Sequence, residues 1–201
     1  MSQMKSPFGG FGMAHYAGPA LTRQKAAILA ALLGMVPLAA ASAGPAQTLT
    51  AAEVRCDPVD THPRQVAQVR AKEAPLSYSV QIPAEIIETG RPVDFKLTIE
   101  NDGATPATLS FSTSQLYEIV VWDDRCTEVW RWSHGLAFAQ VITSISVQRE
   151  RPLFYSVQWQ RRNQAGQPVR SGTYVARVVF LGQSAARHAP LVFPQLIFDL
   201  Q

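Results

Sequence analysis

Two pairs of adjacent residues in this sequence have side chains of the types that catalyse hydrolysis. Ser133 and His134 could serve as nucleophile and base, and Asp123 and Asp124 could serve as general acid and base. Adjacent residues on a strand point to opposite faces, which separates Ser133 from His134. Two carboxylates in an exposed turn lack the contrasting surroundings that divide the roles of acid and base. We therefore expect no catalytic residue and predict that the protein is not an enzyme.

The sequence offers no other motif for binding a cofactor or a metal ion. It contains neither a Gly-x-Ser-x-Gly nucleophile motif nor a glycine-rich phosphate loop between a strand and a helix. Its histidines are isolated, and neither Cys-x-x-Cys nor His-x-x-x-His spacing occurs. We expect no cofactor-binding residue and no metal site, so binding is favoured over catalysis.

The first 43 residues have the three parts of a secretion signal. Arg23 and Lys25 form a positive region, and Ala26–Ala40 is apolar. That stretch is shorter than the ~20 residues that span a bilayer. The small residues Ala41-Ser42-Ala43 then provide a cleavage site. We predict cleavage after Ala43 and a secreted or periplasmic protein that begins at Gly44; an uncleaved N-terminal anchor is the alternative.

The formal charge of +3 comes entirely from this predicted leader. Residues 1–43 hold three of the 18 basic residues and none of the 15 acidic ones, so 15 of each remain in the rest of the chain. The exported part therefore lacks the basic patch of a nucleic-acid-binding protein. We expect no nucleic-acid partner and no stable membrane span after signal cleavage.

Cys56 and Cys126 are the two cysteines of the chain. An even number of cysteines in an oxidising compartment predicts a disulfide. Closing a loop of roughly 70 residues stabilises the folded state by about 4 kcal/mol in the chain-entropy model. The bridge would attach the N-terminal extension to the domain. Two free or intermolecular thiols are the alternative.

Apolar and polar residues alternate from residue 76 onward, which is typical of strands with one buried face. Leu76–Ile82 and Phe95–Glu100 show the alternation most clearly. Turn residues such as Asn101-Asp102-Gly103 and Asp123-Asp124-Arg125 separate the strands. The pattern predicts an all-β, immunoglobulin-like antiparallel sandwich of about eight strands.

The chain accordingly divides into three parts. We expect a signal peptide with its leader at 1–43, an N-terminal extension at 44–75 and the β-sandwich domain at 76–201. The extension is polar, and its residues 65–72 could form a short helix.

The same alternation identifies side chains that should fill the sandwich. Trp130 and Trp132 share one face of a predicted strand, and we favour a core position for both. Trp122 and Arg131 are better candidates for surface contact, because Trp and Arg often dominate protein interfaces. The other expected core residues are Phe95, Leu97, Ile99, Phe111, Tyr117, Ile119, Val129, Tyr155, Val157, Trp159, Tyr174, Ala176 and Val178.

An ordered set of aromatic and turn residues resembles the BsuPI family, the bacterial intracellular proteinase inhibitors. The Trp-Arg-Trp-Ser block is the most specific part of the resemblance, which spans residues 76–181. The segments that carry it are Phe95-x-Leu97-x-Ile99-x-Asn101, Leu109-Ser110-Phe111, Ser114-Gln115-x-Tyr117-Glu118, Glu128-Val129-Trp130-Arg131-Trp132-Ser133, Phe138-Ala139-Gln140, Tyr155-Ser156-Val157-Gln158-Trp159 and Gly172-Thr173-Tyr174. The family motif residues are Gln115, Tyr117, Trp130, Arg131, Trp132, Ser133, Trp159 and Tyr174. The resemblance implies an immunoglobulin-like sandwich and a proteinase-inhibitor role.

The sequence departs from the family pattern in three places. Ser114 and Cys126 each stand where the family usually has glycine, and the second change suits recruitment of Cys126 into the disulfide. Residues 149–152 replace a Pro-Gly-Glu turn. The predicted export signal also contrasts with the intracellular site of action for which the family is named.

Two loops are candidates for contact with a protein partner, which could be a secreted or envelope serine protease. The first, His134–Ala139, offers Leu136 and Phe138 as apolar anchors. The second, Arg161–Arg170, offers Arg161, Arg162 and Arg170 to a protease that prefers basic residues. Ordinary connections are the alternative for both loops. We expect a monomer, and a non-inhibitory cell-envelope interaction module remains the alternative function.

Overall fold

The computed structural model describes residues 54–58, 65–83, 86–88 and 90–201, so the predicted signal peptide and its cleavage site lie outside it. The regular structure of these residues is β-strand, which confirms the all-β prediction. Within the described ranges no helix is long and apolar enough to cross a membrane. The strands are β1 (Gln68–Glu73), β2 (Leu76–Gln81), β3 (Ile86–Ile87), β4 (Val93–Asn101), β5 (Ala107–Phe111), β6 (Tyr117–Asp123), β7 (Glu128–Arg131), β8 (Thr143–Val147), β9 (Leu153–Trp159), β10 (Gly172–Phe180), β11 (Leu191–Val192) and β12 (Leu196–Leu200).

Four strands form one antiparallel sheet in the order β1-β2-β4-β9. The alternation in the sequence becomes one buried face and one solvent face, as a half-buried sheet requires. In β4, Phe95, Leu97 and Ile99 are buried, whereas Lys96 and Glu100 are exposed. This inner face forms one wall of the core.

β1 corrects two expectations about the N-terminal extension. Residues 65–72 do not form a helix: Val69 is buried while Arg70 and Lys72 are exposed, which is the two-residue period of a strand. Arg70 and Lys72 pair with residues of β2. The sandwich therefore begins before residue 76, because β1 completes the edge of its first sheet.

Six strands form the second sheet, in the order β3-β12-β10-β6-β7, with β11 also paired to β10. β3 and β12 run parallel, and the other pairs are antiparallel. β10 is central and pairs along its length with β6. β5 and β8 form a separate two-stranded sheet, which is joined to the rest through paired backbone bonds of 2.8 Å between Ser110 and Gln183.

The inner faces of the two large sheets enclose the main core. Phe95 of one sheet meets Phe198 of the other at 6.2 Å between ring centroids in an edge-to-face arrangement. Of the predicted core, the fully buried residues are Phe95, Leu97, Ile99, Phe111, Ile119, Trp159, Tyr174, Ala176 and Val178. The half-buried ones, packed against that cluster, are Tyr117, Val129, Trp130, Trp132, Tyr155 and Val157.

A second apolar cluster lies on the opposite face of the six-stranded sheet. Val120 and Trp122 of β6 and Val175 and Val179 of β10 are buried there beneath Val54. We call residues 54–58 the strap. The disulfide from Cys56 to Cys126 holds it, which confirms the predicted pairing. A 2.6 Å ion pair between Asp57 and Arg177 adds a second attachment.

Candidate partner-binding site

The turn between β6 and β7 is held by its own aspartate. Asp123 Oδ1 accepts hydrogen bonds from the backbone N–H groups of Arg125, at 3.0 Å, and Thr127, at 2.9 Å. Such side-chain-to-backbone bonds are the reason Asp is common in turns. Cys126 has φ = 59°, a left-handed conformation that glycine adopts more easily. The family's usual glycine at this position therefore has a conformational reason.

A buried carboxylate organises the end of this hairpin. Glu118 of β6 accepts hydrogen bonds from the N–H groups of Ile119, at 3.0 Å, and Ser133, at 3.2 Å, and from the hydroxyl of Ser133. Gln115 donates a longer bond of 3.4 Å to the same side chain. Ser133 is thus bound to Glu118, while His134 is exposed. These motif residues fix the backbone where β7 ends.

Arg131 extends the network toward the surface. Its guanidinium donates two hydrogen bonds to Glu128, at 3.0 and 2.6 Å, and lies 3.8 Å from Glu118. The hydrogen bonds to Glu128 raise the pKa of Arg131 above its ordinary value. Its backbone carbonyl accepts a 3.3 Å bond from Gln164. Contact between Arg131 and a partner stays a prediction, and its side chain is already engaged within the hairpin.

A series of tilted aromatic rings in contact supports the segment that follows β7. Tyr117 lies 4.6 Å from Trp132, and Trp132 lies 5.6 Å from Phe138, between ring centroids. Tyr155 continues the series at 5.7 Å from Tyr117. Burial raises the pKa of Tyr117 and of Tyr155. The rings form a platform on which Phe138 rests.

Residues 134–142, which we call the contact loop, run from this platform to β8. The loop opens with a turn in which Leu136 donates to the Ser133 carbonyl at 3.0 Å, and Gly135 adopts φ = 74°. Leu136 is 52% exposed, Val141 45% and Ile142 82%. Large apolar side chains so exposed on a surface loop are a sign of an interaction site.

The contact loop is fixed near both of its ends. Ala139 accepts a 2.9 Å hydrogen bond from the Ser114 N–H and donates one of 2.9 Å to the Ser114 hydroxyl. After the loop, Thr143 pairs with Phe111 at the start of β8. We call these two attachments the double clamp. The glycine usual at position 114 could not make the hydroxyl bond.

The second predicted loop is held by its own side chains. Arg161 donates to the backbone carbonyls of Glu88, at 2.9 Å, and Gln201, at 2.6 Å. Arg162 donates to the Gly166 carbonyl at 2.7 Å, and its own carbonyl accepts the Trp159 indole N–H at 2.8 Å. Both guanidinium groups are thus engaged within the protein, and their contact with a partner stays a prediction.

Trp122 is not a surface residue, contrary to the expectation from sequence. It is 5% exposed and lies in the cluster beneath the strap. β6 and β10 contain unbroken apolar runs, which are typical of strands covered on both faces. Trp122 is therefore closed to a partner.

The remaining motif aromatics are structural. Trp130 stacks on Trp159 at 6.1 Å, and Trp159 meets Tyr174 edge-on at 5.6 Å. The Tyr174 hydroxyl donates to the Arg170 carbonyl at 2.8 Å. These residues therefore join the hairpin to the base of the second loop.

Two residues of the site, Val141 and Ile142, were not singled out from the sequence, and Ser114 and Glu118 were named only within the family pattern, without a role in the site. Val141 and Ile142 form an apolar pair between polar residues, which is a weak sequence signal for an exposed contact site. Nothing in the sequence pattern indicates that Glu118 is buried. No group of three or more potential metal ligands occurs among the described residues.

Comparisons with solved structures give distant likenesses. The alkylpurine DNA glycosylase AlkC of Pseudomonas fluorescens is 11% identical with a TM-score of 0.36, over 65% of this chain and 31% of that one. A CARDB domain from Pyrococcus furiosus is 9% identical with a TM-score of 0.34, over 66% and 94%. A β-glucosidase of Listeria innocua is 9% identical with a TM-score of 0.35, over 62% and 16%. This chain thus spans a small part of the two enzymes.

A comparison with curated protein sequences gives no match. The profile of one family, described as BsuPI, intracellular proteinase inhibitor, matches residues 80–185, which is more than half of the chain. The match covers β3 to β10, and with them the Glu118 network, the aromatic platform and both loops. With this hairpin, this platform and this match, the chain belongs to the BsuPI family of proteinase inhibitors.

Proposed function

We propose that this protein is an exported proteinase inhibitor that contacts an extracytoplasmic serine protease through the contact loop. The observation that carries the proposal is the geometry of the loop, in which exposed apolar side chains are mounted on a clamped backbone. Membership of the BsuPI family supplies the general inhibitory character.

A clamped loop suits inhibition because binding then costs little ordering entropy. Immobilising a flexible side chain or loop segment costs about 0.5–1.5 kcal/mol per residue at an interface. The double clamp and the packing of Phe138 on Trp132 already order part of the loop in the free protein, so less conformational entropy is lost on binding. The exposed Leu136, Val141 and Ile142 can then contribute their apolar area to affinity.

Export is proposed on two grounds. The leader has the parts of a cleavable signal, and Cys56 and Cys126 form a disulfide, a bond that persists mainly in oxidising compartments. The target would then be a protease of the envelope or of the surroundings of the cell, because a cytosolic protease would not meet the exported protein.

Protease titration tests the inhibitory part. Protein purified from cells that express the full chain is titrated against subtilisin-, chymotrypsin-, elastase- and trypsin-type proteases. We expect inhibition of at least one enzyme at about micromolar concentration or below. Replacing residues 136–142 by a Gly-Ser segment of equal length should abolish it, and Phe154→Ser, which alters an exposed phenylalanine on the solvent face of the other sheet, should not. No inhibition across the panel would contradict the proposal and favour a non-inhibitory envelope module.

Cell fractionation tests the location. The full chain is expressed in a bacterial host, and the mass and N-terminal residue of the product in each fraction are determined. We expect a product beginning at Gly44 in the periplasm or medium, with Cys56 and Cys126 oxidised. A cytosolic, full-length and reduced product would contradict export while leaving inhibition to be measured separately.

A further inference from the structure

Residues 140–142 protrude between the two attachments of the double clamp. They lie opposite residues 112–113, so the loop side carries one residue more than the facing side. Neither segment lies in a strand between the two attachments, so residues 140–142 form a short connection one residue longer than the facing one. The protrusion is consequently short and fixed at both ends.

The protrusion leads directly into an edge strand. In the described part of the chain β8 pairs with β5 alone, so its other edge has no partner strand, although the Val147 carbonyl near its end accepts a 2.8 Å hydrogen bond from Asn101. An extended segment with a free edge can be bound as an added strand, with main-chain hydrogen bonds providing affinity and side-chain pockets providing specificity. Protease clefts are narrow, and this stretch has the stiff exposed form they accommodate.

Ile142 is the most exposed apolar side chain of the contact loop, at 82%. Leu136 is also exposed but lies within a closed turn, where its N–H is bonded to Ser133. Phe138 is half-buried against Trp132. Val141, the neighbouring apolar side chain, is less exposed than Ile142, at 45%.

The segment that contains Ile142 has no charged side chain. From residue 135 to residue 148 no side chain carries a charge. A protease pocket built for a basic or acidic side chain would leave its own buried charge without a partner against this segment. A pocket that accepts an aliphatic β-branched side chain would be filled by isoleucine.

We propose that Ile142 is the specificity-determining residue, entering the primary pocket of a protease that accepts β-branched aliphatic side chains, as elastase-type enzymes do. This rests on the proposed inhibitory function. It assigns the side chain that selects the partner, and it assigns residues 140–142 as the segment that lies in the cleft.

A specificity exchange tests the assignment. The inhibition constants of the wild type, Ile142→Lys and Ile142→Val are measured against elastase-type and trypsin-type proteases. We expect Ile142→Lys to lose at least about 100-fold against the elastase-type enzyme and to gain inhibition of the trypsin-type enzyme. Ile142→Val removes one methylene and should change inhibition by less than about 10-fold.

Two further variants separate the assignment from the underlying function. Leu136→Lys should weaken inhibition far less than Ile142→Lys, and Phe154→Lys, at a position outside the loop that is 70% exposed, should leave it unchanged. If the wild type inhibits an enzyme of the panel and Leu136→Lys abolishes this while Ile142→Lys does not, the assignment of Ile142 is overturned and the inhibitory function stands. If the wild type inhibits neither enzyme class, the assignment falls; inhibition confined to another class would leave the broader function intact.

Discussion

The two loops that follow β7 and β9 use their side chains in opposite ways. The contact loop is held through its backbone at Ala139 and through the ring of Phe138, and its side chains Leu136, Val141 and Ile142 are exposed. The loop of residues 161–170 is held mainly through its side chains, with Arg161 and Arg162 bonded to carbonyls of the same protein. A loop fixed through its backbone keeps its side chains available for another molecule, whereas a loop fixed through its side chains does not.

This contrast changes how charged loops should be interpreted. The arginines of the second loop are of the type that a trypsin-like protease recognises, yet their guanidinium groups satisfy backbone carbonyls of Glu88, Gln201 and Gly166. A partner that drew these guanidinium groups away would have to replace hydrogen bonds that they already make within the protein. The apolar loop has no such competing use, so it is the better contact surface.

The largest expected effect is at the base of the second loop. Trp159 is fully buried and donates its indole N–H to the Arg162 carbonyl, so Trp159→Ala leaves both a cavity and an unpaired acceptor. We expect a loss of about 3–5 kcal/mol in the free energy of unfolding, measured by urea denaturation. Trp132→Ala, at the half-buried base of the contact loop, should cost clearly less. Equal losses in the free energy of unfolding would show that Trp159 and Trp132 contribute equally to stability, despite their different burial.

The next effect concerns Glu118, the buried side chain that holds Ser133 just before the contact loop. Glu118→Gln removes the negative charge of the carboxylate that accepts hydrogen bonds from Ser133 and faces Arg131. The new amide NH₂ group is itself a donor, so it cannot accept the bonds that the lost carboxylate oxygen accepted. We expect a loss of about 1–3 kcal/mol in stability by chemical denaturation. Glu128→Gln, in the exposed partner of Arg131, is the matched control and should cost about 0–1 kcal/mol. A control as costly as Glu118→Gln would show that Arg131, not the buried carboxylate, fixes this end of the loop.

A smaller change tests whether the second loop serves stability alone. Asn163 accepts a 2.9 Å bond from the Gln167 N–H and donates one of 3.1 Å to the Gln167 side chain. Asn163→Ala should lower the free energy of unfolding by about 1 kcal/mol and leave protease inhibition unchanged. Denaturation and inhibition assays on the same preparation measure both. Reduced inhibition with unchanged stability would instead place the second loop in the interface.

The smallest effect is at the double clamp. Ser114→Gly and Ser114→Ala remove the hydroxyl that accepts the Ala139 N–H, while Ser114→Thr retains one. We expect a loss of about 0.5–1.5 kcal/mol for the first two variants and faster amide hydrogen exchange at Ala139, with the threonine variant close to wild type. Unchanged exchange at Ala139 would mean that the contact loop is held from elsewhere.

The sequence was sufficient to predict the structural role of a residue where that role follows from periodicity or from the conformational preferences of turn residues. Alternation placed Phe95, Leu97 and Ile99 in the core, and the Asp123 turn and the disulfide between Cys56 and Cys126 were predicted and are present. Each of these depends on local pattern or on the pairing of two cysteines, and distant context does not alter them.

Predictions failed where the outcome depended on which distant segment covers a surface. Trp122 was expected outside because interfaces favour tryptophan, but the strap covers it. Residues 65–72 were considered for a helix, and the neighbouring edge of β2 makes them a strand. The role of Glu118 was not predicted, because only the folded hairpin brings it within hydrogen-bonding distance of Ser133, fifteen positions away.

Under the export proposed above, the position of the strap has a consequence for the order in which the chain would reach the outer side of the membrane. Its residues precede every strand of the sheet they cover, and β10, which carries Val175 and Val179, is among the last strands of the chain. N-to-C export would therefore deliver the strap before the apolar surface that it covers is complete. Cys126 lies between the strap and β10 in the sequence, so the disulfide could form before β10 arrives.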